Sequence, residues 1–137
     1  MTIECDEIWS YVGNKNNKYW IWLAIDVSDS TIVGAFIGDR SETGARGLWN
    51  SLPQEYQKCA LCYTDFGEAY ALIFPQERHL AVGKESGKTN QIEGFNCKMR
   101  QRVARLARKT LSFSKKLANH IGAIWAFIHY HNQSLHV

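Results

Sequence analysis

Three acidic residues, Asp6, Asp65 and Glu93, stand far apart in a chain of 137 residues, with 58 and 27 residues between them. Scattered carboxylates do little chemistry; carboxylates that a fold gathers together bind hard cations. Mg²⁺ usually takes one or two protein carboxylates and fills its octahedron with water and substrate phosphates. Two such ions about 3.5–4 Å apart grip the attacking and leaving oxygens of an in-line displacement at phosphorus. The three acids therefore point to phosphodiester chemistry with two Mg²⁺ or Mn²⁺ ions, provided the elements around them converge.

Taken singly, each acid has a plainer reading. Asp6 lies in a strand-like segment between Glu4 and Glu7, and strict alternation turns it to the face opposite Glu7. Asp65 follows an apolar run and precedes Gly67, which also suits a turn or a helix cap. Glu93 stands three residues after Asn90, the spacing of a capping box. Asp26, on another apolar strand, is the main competitor. Three unrelated caps are a poorer account than one site, because the three positions also fit a single fold.

That fold follows from the patterning. "TIECDEIWSYVG", "KYWIWLAIDV" and "TIVGAFIGD" are rich in β-branched and aromatic residues, with "GNKNNK" and "SDS" as turns between them. Tyr19, Ile21, Leu23 and Val27 alternate with Trp20, Trp22, Ala24 and Asp26, so this strand is covered on both faces. "SETGARGLWNSL" predicts a helix capped by Ser41 and ending before Pro53. "KCALCYT" reads as a fourth strand running into Asp65, "GEAYALIF" as a helix and "RHLAV" as a fifth strand. From Thr89 to about Gln133 the chain is helical, with a break near "TLSFS". Ile92, Phe95, Met99, Val103 and Leu106 form its apolar stripe; Glu93 and Arg100 lie on one flank, and Lys98, Arg102, Arg105 and Lys109 on the other. The order βββαβαβα is that of a ribonuclease-H-like α/β domain, a five-stranded mixed sheet with a long C-terminal helical region. Its first and fourth strands are neighbours, which brings Asp6 to Asp65 and lets Glu93 close over both.

Composition agrees with a globular protein: 45% of the residues are hydrophobic and 12% are aromatic. No apolar run approaches the roughly 20 residues of a membrane span, and no signal segment opens the chain, so the expected location is the cytoplasm. The net charge of +3 hides an asymmetry: residues 1–80 carry 6 Lys+Arg against 11 Asp+Glu, and residues 81–137 carry 10 against 2. Carboxylates in front and cations behind suit metal chemistry beside a polyanion, although a solvated basic helix shows the same pattern.

Other features are weaker signals. Cys59 and Cys62 form a lone CxxC in an apolar, strand-like stretch, without the second ligand pair of a zinc site; with Cys5 and Cys97 they read as free thiols. "GKESGKT" falls one residue short of a P-loop and reads better as a basic loop, with Lys84 and Lys88 available to DNA. His120, His129 and His131 are awkwardly spaced for joint ligation on a helix, and Trp9, Trp20 and Trp22 read as core. The Lys98, Arg102, Arg105 and Lys109 stripe could grip a phosphate backbone without reading sequence, or could be a solvated helix face.

The segments "CDEIWSYVG", "YTDFGEAY", "IEGFNCKMRQRVARLARKTLSFSK" and "HYHNQ" together resemble the InsB-type DDE transposases of the insertion-sequence-one family. The resemblance covers nearly the whole chain and is most specific from Asn90 to Lys115. It matches Asp6 with Glu7 and Trp9, Asp65 with Thr64 and Tyr70, and Glu93 with Ile92 and Asn96. It implies that Asp6, Asp65 and Glu93 are catalytic and metal-binding, and that Arg100 is the cation placed near the scissile phosphate. It also takes in Ser112, Ser114 and Lys115, which as "SFSK" equally suit a helix cap.

The activity so implied is divalent-metal-dependent cleavage and strand transfer of DNA during transposition of an insertion sequence. Element ends and target DNA would be the substrates, the active complex a homo-oligomer, and the setting the nucleoid of a prokaryotic cytoplasm. The expected organisation is one catalytic domain over residues 1–137, with the zinc-binding and helix-turn-helix modules that recognise element ends supplied by an upstream region or protein. The alternative is a DNA-binding or assembly fragment whose catalysis is dispensable. A ribonuclease or resolvase on the same fold is a third reading, disfavoured by the motifs.

Overall fold

A computed structural model describes residues 1–11, 18–109 and 117–135. Strands β1 (Thr2–Tyr11), β2 (Lys18–Asp26) and β3 (Ile32–Gly38) form the expected antiparallel meander. The turn between β1 and β2 falls largely outside the described residues. Strands β4 (Leu61–Thr64) and β5 (His79–Ala81) run parallel to β1 on its other side, giving the order β3-β2-β1-β4-β5. The strand that bears Asp6 is thus the middle one, with the strand that ends before Asp65 beside it.

Alternation divides the core. Ile3, Cys5, Trp22, Ala24 and Cys62 face helices α1 (Glu42–Ser51) and α3 (Glu68–Ile73), packing on Leu48, Leu52, Tyr70 and Phe74. Ile21, Leu23, Ile25 and Ile32 face α4 (Asn90–Lys109) and α5 (Leu117–Ser134), packing on Ile92, Phe95, Met99, Ile124 and Ile128. β2 is therefore covered on both faces, as its apolar pattern requires. Ser41 caps α1 as expected, accepting a hydrogen bond from the Thr43 N–H at 3.3 Å. Gly44 lets α1 approach the buried Trp22, whose indole N–H donates to the Asp39 carbonyl at 2.7 Å; a Cβ at position 44 would run into both groups.

The run "KCALCYT" is not one strand. A short helix, α2 (Gln54–Cys59), occupies its first part and β4 begins only at Leu61. Arg78, just before β5, holds this junction by donating to the carbonyls of Gln57 at 2.7 Å and Ala60 at 3.1 Å. The CxxC pair is consequently split: Cys59 is exposed at the helix end and Cys62 is buried in the strand.

The long helical region is α4 and α5, and the break read near "TLSFS", with Ser112, Ser114 and Lys115, lies outside the described residues. α5 is tied to the sheet through "HYHNQ". The Asn132 amide accepts from the Ile32 N–H at 2.9 Å and donates to the Ile32 carbonyl at 3.0 Å, and His131 Nε2 lies 2.8 Å from the Ser30 carbonyl. His120 is buried instead against Ser10 and Tyr19, and His129 is exposed, so the three histidines go to separate places. No helix among the described residues is long and apolar enough to cross a membrane.

Candidate metal centre

The site comes from unequal strand lengths. β1 pairs with β4 only from Thr2↔Leu61 to Glu4↔Tyr63, whereas its pairing with β2 continues to Tyr11↔Lys18. Beyond Glu4, β1 has no strand on its β4 side, and a notch opens in the sheet beside Asp6 and Glu7. Asp65 follows the last residue of β4 and enters this notch. Clefts past the carboxyl ends of parallel strands are common binding places in open α/β sheets, because side chains from several elements converge there.

One carboxylate oxygen from each of Asp6, Glu7 and Asp65 lies within 4.8 Å of the others. Asp6 Oδ1 accepts from the Glu7 N–H at 2.9 Å, and Oδ2 from the Asn96 amide of α4 at 3.2 Å. Asp65 Oδ1 accepts from the Gly67 N–H at 2.9 Å, an Asx-type turn, so the plainer turn reading and membership of the cluster hold together. Glu7 Oε2 accepts from the buried Tyr70 hydroxyl at 2.8 Å. Among the described residues the one salt bridge is Arg46–Glu42, so no Lys or Arg pairs with the cluster.

Burial dominates the electrostatics. Burial, with the charges of Asp65 and Glu93 adding to it, raises the Asp6 carboxyl to about 6 despite hydrogen bonds from Glu7 and Asn96. Burial, then Asp65, raises Glu7 to about 7 against the Tyr70 hydrogen bond and the charge of Arg40. Glu4 is raised too, by burial first, although it accepts from the Ile92 N–H at 3.1 Å. That bond occupies a donor in the first turn of α4. The helix end after "GKESGKT" is thus capped by a carboxylate, which is the opposite of a phosphate cradle.

Glu93 lies outside the tight group. It sits one turn before Asn96 on α4, its Oε1 accepts from the Thr89 hydroxyl at 3.1 Å, and its charge acts on both Asp6 and Glu4. Glu7 is the member of the cluster that alternation alone does not reveal. Its side chain does leave β1 on the face opposite Asp6, but the notch lets the two carboxylates meet around the unpaired edge. The only hint in the sequence is the adjacent pair of acids. Asp26, the competitor, is a turn residue held by Tyr56 and Ser28.

The candidate cations that the structure describes lie in three places. Arg100 is exposed and reaches towards the Trp9 carbonyl at 3.5 Å. Lys98 and Arg102 line a groove of about 290 Å³ between α4 and α5, with Tyr130 and His131. The side chains of Arg105 and Lys109 lie outside the described residues. Lys84 is exposed, and Lys88 stands 5.9 Å over the Tyr63 ring, close to the Asp65 end of β4.

The family model of IS1 transposases matches residues 1–134. This chain belongs to the IS1 transposase family. The transposase is 34% identical over 130 residues to insertion element iso-IS1n protein InsB of Shigella dysenteriae, a match covering 93% of this chain and 94% of that protein. Among solved structures it resembles the HTLV-2 integrase catalytic core domain in complex with magnesium, at TM-score 0.61 and 14% identity over 90% of this chain and 82% of that one. It also resembles a chain of the simian T-cell lymphotropic virus intasome, at TM-score 0.63 and 18% identity; the match covers 90% of the transposase and 46% of the intasome chain. The expected ribonuclease-H-like fold is therefore the observed one, and the chain is a transposase domain of the polynucleotidyl transferase class.

Proposed function

We propose that this domain cuts and joins DNA strands at a divalent cation centre built on Asp6 and Asp65 and completed by Glu93. The observation that carries the reading is the notch, where carboxylates from separate elements converge and, among the described residues, none of them is in a salt bridge. The donor set fits Mg²⁺ or Mn²⁺: all the convergent atoms are hard carboxylate oxygens, with no thiolate or imidazole among them. Asn96 agrees, being 5% exposed and presenting its Nδ2 to Asp6 while its Oδ1 has no partner. When bound, a pair of such ions supplies activation of the nucleophile and neutralisation of the charge that develops at phosphorus.

The chain's own groups then have definable parts. Asp6 and Asp65 hold the centre between them, and Glu93 contributes from α4, whose start is fixed by Glu4. Arg100 steadies the scissile phosphate. Lys98, Arg102, Arg105 and Lys109, with Lys84 and Lys88 on the loop before α4, hold the phosphate backbone by charge. In the first step water displaces the 3′ oxygen at the element's end and leaves a free 3′-OH. In the second, that hydroxyl attacks a phosphodiester of target DNA and displaces its 3′ oxygen.

We further infer that residues 1–137 act as one catalytic domain within a homo-oligomer on DNA at the nucleoid, with an upstream region or protein that recognises the ends. The test is nicking of supercoiled plasmid with Mg²⁺ or Mn²⁺, beside salt-dependent DNA binding. Asp65→Ala should abolish nicking with folding and DNA binding retained. Near-wild-type nicking by that variant would sink the assignment, and binding without any nicking by the wild type would favour the assembly fragment.

A further inference from the structure

The distance-matched carboxylates are Asp6, Asp65 and Glu7, and Glu7 has no part in the reading above. We propose that Glu7 is a direct ligand of the divalent cation, delivered from the opposite face of the sheet to Asp6, and that Tyr70 is its positioning residue. The proposal rests on the metal-centre reading of Asp6 and Asp65 and adds a third ligand to it.

Three observations converge. β1 is unpaired on its β4 side at Asp6 and Glu7, so side chains leaving opposite faces can both turn into the notch that Asp65 enters. Tyr70 is fully buried between Trp22 and Phe74, and its hydroxyl is aimed at Glu7 Oε2 at 2.8 Å. One Glu7 oxygen is thereby anchored, and no donor among the described residues reaches Oε1. An immobile phenol fixing one oxygen of a carboxylate on which Asp65 and Asp6 act against the single charge of Arg40 is the arrangement of an oriented ligand, much as outer hydrogen bonds orient ligands at other metal sites. On the other side of the sheet, the buried Asn96 amide does the same for Asp6 and has its own Oδ1 unpartnered.

The chemical consequence is a centre that straddles the sheet. Asp6 comes from the α4 face, Glu7 from the α3 face and Asp65 from between them. With three carboxylates at one point, a cation can be held by protein alone before DNA supplies phosphate oxygens. Glu93, outside the tight group, is then free to serve a second ion or the substrate-bound state.

The test is Mn²⁺ binding to the 137-residue chain without DNA, by calorimetric titration, with cation-free melting temperatures measured in parallel. Glu7→Gln keeps an acceptor for Tyr70 and removes one charge from a crowded acidic group. It should weaken Mn²⁺ binding about tenfold, and its cation-free melting temperature should equal or exceed that of the wild type. Tyr70→Phe should weaken binding a few-fold. Mn²⁺ affinity of Glu7→Gln within twofold of wild type would overturn the ligand assignment; so would weakened binding joined to a lowered cation-free melting temperature, which marks a structural role. Asp65→Asn separates the two levels. If it binds Mn²⁺ as the wild type does, the acidic centre itself is refuted; if it loses binding while Glu7→Gln does not, only the role of Glu7 falls.

Discussion

Asp6 and Asp26 stand on adjacent strands of one sheet, and both lose much of their contact with water, yet their surroundings treat the charge in opposite ways. Asp26, 7% exposed, closes the β2–β3 turn. It receives the Tyr56 hydroxyl at 2.7 Å and the N–H and hydroxyl of Ser28 at 2.9 and 2.7 Å. Burial acts to raise its carboxyl, but these donors outweigh it and hold the group below its ordinary value. Asp6 has two donors, and its remaining neighbours are acids. Enclosing a carboxylate among donors serves the fold; enclosing it among carboxylates creates a demand for a cation from outside. That difference separates the competitor from the site member without reference to exposure.

The largest test exchanges the two roles. Asp6→Asn should lower plasmid nicking by at least about a hundredfold, because losing a metal ligand costs more than losing its outer support. Its cation-free melting temperature should stay level or rise. Asp26→Ala should do the reverse, lowering stability by about 1–3 kcal/mol through its orphaned donors while the folded fraction nicks normally; denaturant melts and nicking assays read both. Equal loss of nicking in the two variants would erase the distinction.

A second test uses pH. Asp6 and Glu7 have native values of about 6 and about 7, above their ordinary 3.8 and 4.5, so the folded protein binds their protons more tightly. Their contribution is fully present below pH ~4 and is lost as pH rises through 6–7. In chelator the melting temperature should therefore climb as pH falls from 8 towards 5. Asp26 is depressed, so its contribution is present above pH ~4 and disappears as the pH drops below that. Tyr56→Phe should bring the acid limb of the profile to higher pH and leave the neutral limb alone. Mn²⁺ should stabilise more at pH 8 than at pH 5, since it competes with those protons. A neutral limb unchanged in Glu7→Gln would contradict this account.

The smallest expected effect is that of Asn96→Ala. It removes one hydrogen bond to Asp6 and should reduce Mn²⁺ affinity about tenfold, the low end of what losing a ligand's hydrogen-bond partner costs elsewhere. An Asn96→Ala variant as inactive as Asp6→Asn would mean that the amide itself contacts the cation or substrate.

Much of this was legible before any coordinates. The alternation of Ile21 and Leu23 with Trp20, Trp22 and Ala24 announces a doubly covered strand, and the Ser41 cap and the Ile92–Phe95–Met99 stripe are local patterns. What escaped was set by distant contacts. The run from Lys58 to Thr64 is apolar with no clear period, which fits a helix end followed by a strand as well as one strand. A fourth strand as long as that run hides the notch, and without the notch the opposite faces of Asp6 and Glu7 keep the two carboxylates apart. Nothing near Glu4 in the sequence points to its burial, because its partner, the Ile92 N–H, lies 88 positions downstream. The placement of Glu93 on α4 near Asp6 was foreseen; its separation from the tight group was not.

The grip of Arg78 on the carbonyls of Gln57 and Ala60 fixes where β4 begins, and four residues of strand then carry the chain to Asp65. β4 is in effect a ruler. One residue added between Leu61 and Thr64 would advance Asp65 by about 3.3 Å and turn its side chain to the other face, breaking its present convergence with Asp6 and Glu7. A guanidinium at the far end of the strand thus keeps count for the site, and the interval from Leu61 to Asp65 is the stretch of this chain least able to change in length.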